Sequence, residues 1–503
     1  MEAIHSLITG FAICLQPINL FLCFVGVFIG TLIGVLPGIG PAGTISLLLP
    51  VTFGMGPVSA IIMLAGIYYG AMYGGSTTSI LVNIPGEAAS VVTCLDGYQM
   101  ARKGRAGPAL GISAFASFIA GTLGVIGLMF VANPLASIAL KFGPPEYFSL
   151  MCLGLTLVIC LAQMSVIKAL IMGALGLFLS TVGLDSISAT EERFTFGIIE
   201  LMDGVGLVPL VMGLFGISEV LINLEKLEKI SILDTIKGRL LPTLRDWKDS
   251  AMPIIRGTVI GFFLGILPGG GAIISSFISY AVEKKISKHP EAFGTGAIEG
   301  VAGPESANNA AAEGSLVPLF SLGIPANVVM ALLFGALMIH GLQPGPRLVI
   351  EHPEIFWGVV ASLYIGNIML LILNLPLIGL WVKVLKVPYT ILFPLILLFC
   401  LIGSYSINNS VIDVLIMIFF GLVGYLIRKL GYEAAPLVLS FVLGPMLERT
   451  LRQSLLMSGG SFLIFITRPI SSVGIFSALL LIFIPLVLKV LGRKPTYIPV
   501  SQD

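Results

Sequence analysis

Apolar runs of roughly 20 residues recur from one end of the chain to the other, the length a helix needs to cross a hydrocarbon core of about 30 Å. They predict spans near 18–36, 57–75, 107–132, 147–183 (room for two, broken around Gln163) and 203–222, then 252–267, 270–282, 326–342, 355–380, 388–404, 411–428, 434–444 and 473–492. The expected fold class is an all-α polytopic membrane protein of about 10–12 transmembrane helices, some broken or re-entrant. One long polar stretch, Asn223–Ser250, is too charged for hydrocarbon and divides the chain almost in half. The expected organisation is a first transmembrane repeat at 1–222, a cytoplasmic linker at 223–250 and a second transmembrane repeat at 251–503.

Two motifs recur across that divide. Gly34-Val-Leu-Pro-Gly-Ile-Gly40 returns 231 positions later (265 − 34) as Gly265-Ile-Leu-Pro-Gly-Gly-Gly271, matching at five of seven positions. Tyr69–Glu87 (YGAMYGGSTTSILVNIPGE) fits Asn309–Asn327 (NAAAEGSLVPLFSLGIPAN) at an offset of 240 (309 − 69), with Gly74 on Gly314, Ile84 on Ile324 and Pro85 on Pro325. The offsets differ by nine (240 − 231), the size of one loop insertion. Motifs in the same order at nearly the same distance point to duplicated halves, expected here to be inverted, a plan that secondary transporters build around a central site. The plainer alternative is that Gly-Pro helix breaks resemble one another everywhere.

Composition agrees with the pattern: 56% of residues are hydrophobic, 11% are charged and mean hydropathy is +1.04, so there is too little charge to coat a soluble surface. A net charge of +1 without a basic cluster excludes a nucleic-acid surface. The six cysteines and four histidines show no metal-ligand spacing, and no cofactor is expected. The first Lys or Arg is Arg102, so the N-terminus is expected to be a retained span rather than a cleaved leader. Lys and Arg gather at Arg102–Arg105, Lys226–Arg256, Lys284–Lys288 and Arg493–Lys494, loops that the positive-inside rule places in the cytoplasm.

Candidate chemistry lies at the motifs. A helix broken at Leu36-Pro37-Gly38-Ile39-Gly40 must face protein or water, because lipid satisfies no backbone group. Such a break starts a new half-helix whose free N–H groups and positive dipole end can face an anion, with glycine allowing close approach. Pro37, Gly38 and Gly40, and in the second half Pro268, Gly269 and Gly270, are therefore candidate substrate-binding residues. The hydroxyls of Ser76, Thr77, Thr78 and Ser79 extend that set, read as an unwound or re-entrant tip rather than a simple helix cap. Asn83, Ser306, Asn308 and Asn309 supply oxygen ligands to a small coupling ion. If 304–314 is helical, Glu305, Asn309 and Glu313 share one face that cannot meet lipid. A solvated loop is the alternative for that run. Arg102, Arg256 and Arg347 lie near span ends and read as snorkelling, topology-setting charges.

The segments Gly34–Pro50, Gly66–Gly86 and Gly303–Ala326, with Asp96–Gly104, resemble the large membrane subunit of the tripartite tricarboxylate transporters over nearly the whole chain. That resemblance implies a symporter in the bacterial inner membrane. It would import a small di- or tricarboxylate on a sodium or proton gradient, alongside a small membrane subunit and a periplasmic solute-binding protein. An ion or anion channel, or a membrane subunit without its own substrate site, is the competing reading. No nucleophile elbow, His-Glu-x-x-His or P-loop occurs, so neither an intramembrane enzyme nor ATP hydrolysis is expected.

Overall fold

The computed structural model describes residues 2–36, 40–162, 165–185, 187–188, 190–225, 240–385 and 389–490. The first half runs α1 (Glu2–Cys14), α2 (Pro17–Val35), α3 (Gly40–Leu48), α4 (Pro57–Val82), α5 (Val91–Met100), α6 (Ala106–Ala139), α7 (Pro144–Leu161), α8 (Val166–Leu179), α9 (Leu207–Val211) and α10 (Ser218–Glu225). The second runs α11 (Leu244–Ile266), α12 (Gly271–Ile286), α13 (Glu299–Leu322), α14 (Val328–Ile339), α15 (Pro346–Glu351), α16 (Pro353–Asn374), α17 (Ile378–Val384), α18 (Tyr389–Asn408), α19 (Val411–Lys429), α20 (Ala435–Met457), α21 (Ile464–Thr467) and α22 (Pro469–Val490). Strand structure among the described residues is one two-residue pair, Gly183–Leu184 with Glu192–Arg193. Among the described residues, eight helical segments are long and apolar enough to cross a membrane.

Two helix pairs dominate the interior, α2 with α4 and α11 with α13, and each is a seam of small residues. A Cβ on Gly26, Gly30 or Gly34 would lie 2.4 Å from the carbonyl oxygen of Met63, Ile67 or Ala71 respectively. A Cβ on Gly257, Gly261 or Gly265 would lie 2.2–2.3 Å from the carbonyl oxygen of Gly303, Ala307 or Ala311. Only glycine lets backbones approach so closely, which is how helices associate where lipid removes the hydrophobic drive. Numbers rise together along both seams, so each pair is parallel. The contacts also repeat with the offsets read from the motifs, 231 on the first helix (257 − 26) and 240 on the second (303 − 63).

The long helices of the seams, α4 and α13, cross antiparallel. Ser76 of α4 bonds Glu305 of α13, whereas Ala65, Tyr68 and Tyr69 share a small gap with Ala312, Glu313 and Leu316. Lys103 reaches the carbonyl of Thr295 at 2.5 Å, Arg105 pairs with Asp246 at 2.5 Å and Arg256 with Glu283 at 2.5 Å. The starts of α6, α11 and α13 and the end of α12 thus gather on one basic face. From there α6, at about 1.5 Å per residue, carries the chain some 50 Å to the opposite face at its 34th residue, Ala139.

Hydropathy does not find α13 as a span. Its 24 residues are long enough to cross, but Glu, Asn, Ser and Gly make it too polar to score, and protein rather than lipid surrounds it. The 304–314 run is helical and buried, not a solvated loop. Of the 223–250 stretch, Leu244–Ser250 already belongs to α11, and 226–239 lies outside the described residues.

Candidate functional site

Each seam ends in a two-part tip. In the second half, α11 stops at Leu267 in extended conformation, and Gly269 and Gly271 take left-handed φ values of +80° and +46° before α12 returns. Beside it α13 stops at Gly323, φ +71°, and the chain runs through Ile324-Pro325 to Asn327, whose side chain accepts from the amide of Met330 and caps α14. The Gly269 N–H donates to the carbonyl of Ala326 at 3.0 Å, joining the two parts. In the first half α2 ends at Leu36, α3 begins at Gly40 with φ +65°, and α4 ends at Asn83 with φ +61°. Glu87 then accepts from the amide of Ala89, the position 240 before Asn327 (327 − 87).

The tips and the crossing are linked reciprocally. Asn308 of α13 donates to Glu87 of the first tip at 3.2 Å, and Asn327 of the second tip donates to Tyr68 of α4 at 3.3 Å. These two contacts are again related by 240 at both ends (308 − 68 and 327 − 87). Around them the polar groups concentrate. Glu305, fully buried, accepts from Ser76 at 2.6 Å and from Thr93. Asn309 donates to Ser117 of α6 at 2.7 Å and to the Glu305 carbonyl at 3.0 Å. Glu313 is buried with one carboxyl oxygen unpartnered, and so is the amide oxygen of Asn308.

The charge balance of this centre is one-sided. Among the described residues nine acids are buried and no Lys, Arg or His is. Glu146, Asp185, Asp246 and Glu283 reach arginines at their margins. Asp96 accepts from the amides of Gly294, Gly296 and Ala297 and the hydroxyl of Tyr280, and Asp413 accepts from Asn408. Glu87, Glu305 and Glu313 remain, held by hydroxyls, amides or nothing. A bare carboxylate in so dry a place is costly, and a proton or a cation is what relieves it. Among the described residues no three His, Cys, Asp or Glu side chains cluster to hold a metal ion.

The residues singled out from the sequence fall in different places. Ser76–Ser79 lie within the last turns of α4, not in an unwound tip, because their hydroxyls find partners without opening the helix. Ser76 and Ser79 bond back to the Met72 and Gly75 carbonyls, Ser79 meets Ser90 at 2.9 Å, and Thr78 donates to the Val35 carbonyl of α2 at 2.6 Å; Thr77 is buried beside them. Ser306 bonds within its helix to Ala302. Ser76, Asn308 and Asn309 come together at the crossing through Glu305 and Glu87. Asn83 caps α4 at the first tip. Pro37 and Gly38 lie outside the described residues, and Gly40 has nothing within 4 Å of the place a Cβ would take. In the second tip the Gly269 and Gly270 amides are engaged within the chain, to Ala326 and Leu267. A Cβ on Gly269 would sit 2.8 Å from Val158, so packing demands glycine there before any ligand does, and Pro268 packs near Gly154. Sequence reasoning misses Glu87, Thr93, Ser117 and the tyrosines Tyr68, Tyr69 and Tyr73. Glu87 carries a signal, since it closes the Asn-Ile-Pro-Gly-Glu motif opposite Asn327.

An uncharacterized 52.8 kDa protein in the TAR-I ttuC′ 3′ region of Agrobacterium vitis is 52% identical over 472 residues, 94% of each chain. A protein in the TAR-II ttuC′ 3′ region of the same organism is 56% identical over 212 residues, 42% of this chain and 88% of the relative. No solved structure matches. The family model described as "Tripartite tricarboxylate transporter TctA family" matches residues 20–439, and this multi-pass membrane chain belongs to that family.

Proposed function

We propose that the chain is the translocating subunit of an ion-coupled importer of small di- or tricarboxylates in the bacterial inner membrane. Its two halves are an inverted repeat, and a small membrane subunit and a periplasmic solute-binding protein complete the system. The observation that carries this reading is the antiparallel crossing of α4 and α13, where Glu87, Glu305 and Glu313 stand with amides and hydroxyls and, among the described residues, no buried basic side chain. Such a centre binds a dicarboxylate only if cations enter with it, which is symport chemistry. Sodium or protons serve, with oxygens from Ser76, Asn308 and Asn309 as ligands. Inversion is supported by parallel seams whose long helices oppose one another. The basic face is then cytoplasmic.

A channel reading is less well supported, because the gap between Tyr68 and Glu313 has no room for a water molecule. The test uses proteoliposomes holding the chain and its small subunit, with binding protein outside and labelled citrate, tartrate and related acids offered in turn. Saturable accumulation that requires a sodium or a pH gradient is expected. Uptake that merely equilibrates, with no gradient needed, would sink the proposal.

A further inference from the structure

On the face opposite the basic one, the second tip backs onto an open cleft of about 460 Å³. Its walls come from the end of α6 and the start of α7 (Ala139 to Tyr147), from the loop before α15, and from α20. Leu322, the last residue of α13, lines it, and the adjoining Gly323 is pressed against Pro344 of the wall, whose carbonyl oxygen is 2.6 Å from where a Cβ would sit. The cleft therefore adjoins the backbone of the tip itself.

Two arginines line it. Arg347 follows Gly345-Pro346 at the start of α15, and Arg449 stands on α20 with Thr450 and Gln453, which at spacing i, i+1 and i+4 share its wall. Both arginines are exposed, and among the described residues neither has a hydrogen-bond or ion-pair partner. The other arginines named on this face are paired, while Lys141, between the lining residues Leu140 and Phe142, is a further exposed cation. Arg193 holds Glu448 at 2.9 Å, Arg452 holds Asp185 at 2.6 Å and Glu448 at 3.0 Å, and Arg468 holds Glu146 at 3.2 Å. Glu448, Asp185 and Glu146 are thus engaged outside the cleft, and Glu351, one turn after Arg347 on α15, makes no ion pair with it, leaving two guanidinium forks in the cleft beside Gln343, Gln453 and Thr450. Guanidinium matches carboxylate geometry bidentately, and the volume suits a small molecule rather than a protein loop.

We propose that this cleft is a receiving site for the carboxylate substrate, with Arg347 and Arg449 taking its carboxylate groups before it passes the second tip to the crossing. The proposal rests on the import reading above. It also divides the chemistry: arginines meet the anion at the mouth, where water still screens them, and the acids of the crossing meet the cations inside.

Labelled citrate and tartrate are bound to the detergent-purified wild type, to Arg347→Gln, to Arg449→Gln and to the double variant, and gradient-driven uptake is measured for each. Each single change is expected to weaken binding roughly tenfold, the loss of one charged hydrogen-bond partner, and to raise KM in step. The ion concentration for half-maximal uptake and the melting temperature should hold. Arg449→Lys should fall between wild type and Arg449→Gln, and Arg102→Gln, an exposed charge on the basic face, should change nothing. Unaltered carboxylate affinity in the double variant overturns the site. So does a change confined to the dependence on binding-protein concentration, which would make the arginines a docking surface for an acidic protein. A wild type that accumulates no carboxylate overturns the import reading and this site together, whereas normal wild-type uptake with indifferent variants overturns this site alone.

Discussion

α4 and α13 hold equivalent places in the two seams, yet they share almost no chemistry along the faces that cross. At an offset of 240, α4 places Ala65, Tyr68, Tyr69 and Tyr73 where α13 places Glu305, Asn308, Asn309 and Glu313. Two of the tyrosines are tied outward, Tyr69 donating to the Ser362 carbonyl at 3.1 Å and Tyr73 bonding Asn367, both on α16, while Tyr68 accepts from Asn327 of the second tip. The amides and acids of α13 reach instead to the first tip, to α4 and to α6. Glycine on one helix and backbone carbonyl on the other set the approach of each pair, so the residues on the crossing face were free to diverge. Two seams with matching glycine contacts thereby carry different crossing faces, with Glu305 and Glu313 on α13 alone.

The largest effect that would break this comparison is steric. Gly30→Val and Gly261→Val force a branched side chain where a single Cβ already lies 2.4 or 2.2 Å from a carbonyl oxygen, and both are expected to prevent recovery of folded protein. Gly40→Ala, with open space around it but φ at +65°, should cost only roughly 1–2 kcal/mol. Size-exclusion profiles and melting curves in detergent decide it; a stable Gly30→Val beside a collapsed Gly261→Val would mean that the seams are not equivalent.

Next come the acids. Glu305→Gln keeps an oxygen for one of the two hydroxyls, Ser76 or Thr93, and an NH2 that can donate to the other, so the protein should fold, while gradient-driven uptake is expected to fall by at least about tenfold with loss of a charge partner for the ion. Glu313→Gln should act alike, and Asn309→Ala should raise the ion concentration for half-maximal uptake severalfold. Wild-type uptake and ion dependence in all three would remove the crossing from the ion pathway.

The smallest effect sharpens the comparison. Tyr73→Phe deletes one hydroxyl bonded to Asn367, a cost of about 1 kcal/mol in stability, with uptake expected to stay close to wild type. A Tyr73→Phe protein of full stability and poor uptake would show that the tyrosine side takes part in the chemistry rather than bracing it.

Much of the molecule is legible in the chain. Apolar runs locate α2, α4, α6, α16 and α19, since a hydrocarbon solvent leaves few alternatives to a helix of about 20 apolar residues. Glycine and proline mark the ends of α2 and α11, and the motif offsets of 231 and 240 reappear in contacts between backbones. α13 is not legible as a span, because a helix sheathed by α4, α6, α11 and α12 is freed from the need to be apolar. The hydroxyls of Ser76–Ser79 suggest an unwound tip from composition alone, whereas the carbonyl partners of Ser76 and Ser79 lie four residues back in the same helix.

What the sequence determined by itself is therefore the solvent, the helical class and the positions of the breaks, each a local consequence of hydropathy and of residues without a Cβ or an N–H. Tertiary structure decided which polar groups meet. Ser76 lies 229 residues from Glu305, Glu87 lies 221 from Asn308, and Arg347 and Arg449 share one cleft from separate helices. No periodicity encodes such pairs, because they arise only when two seams, each rigid through backbone contact, are laid across one another and the acids at the crossing are left with no basic residue beside them.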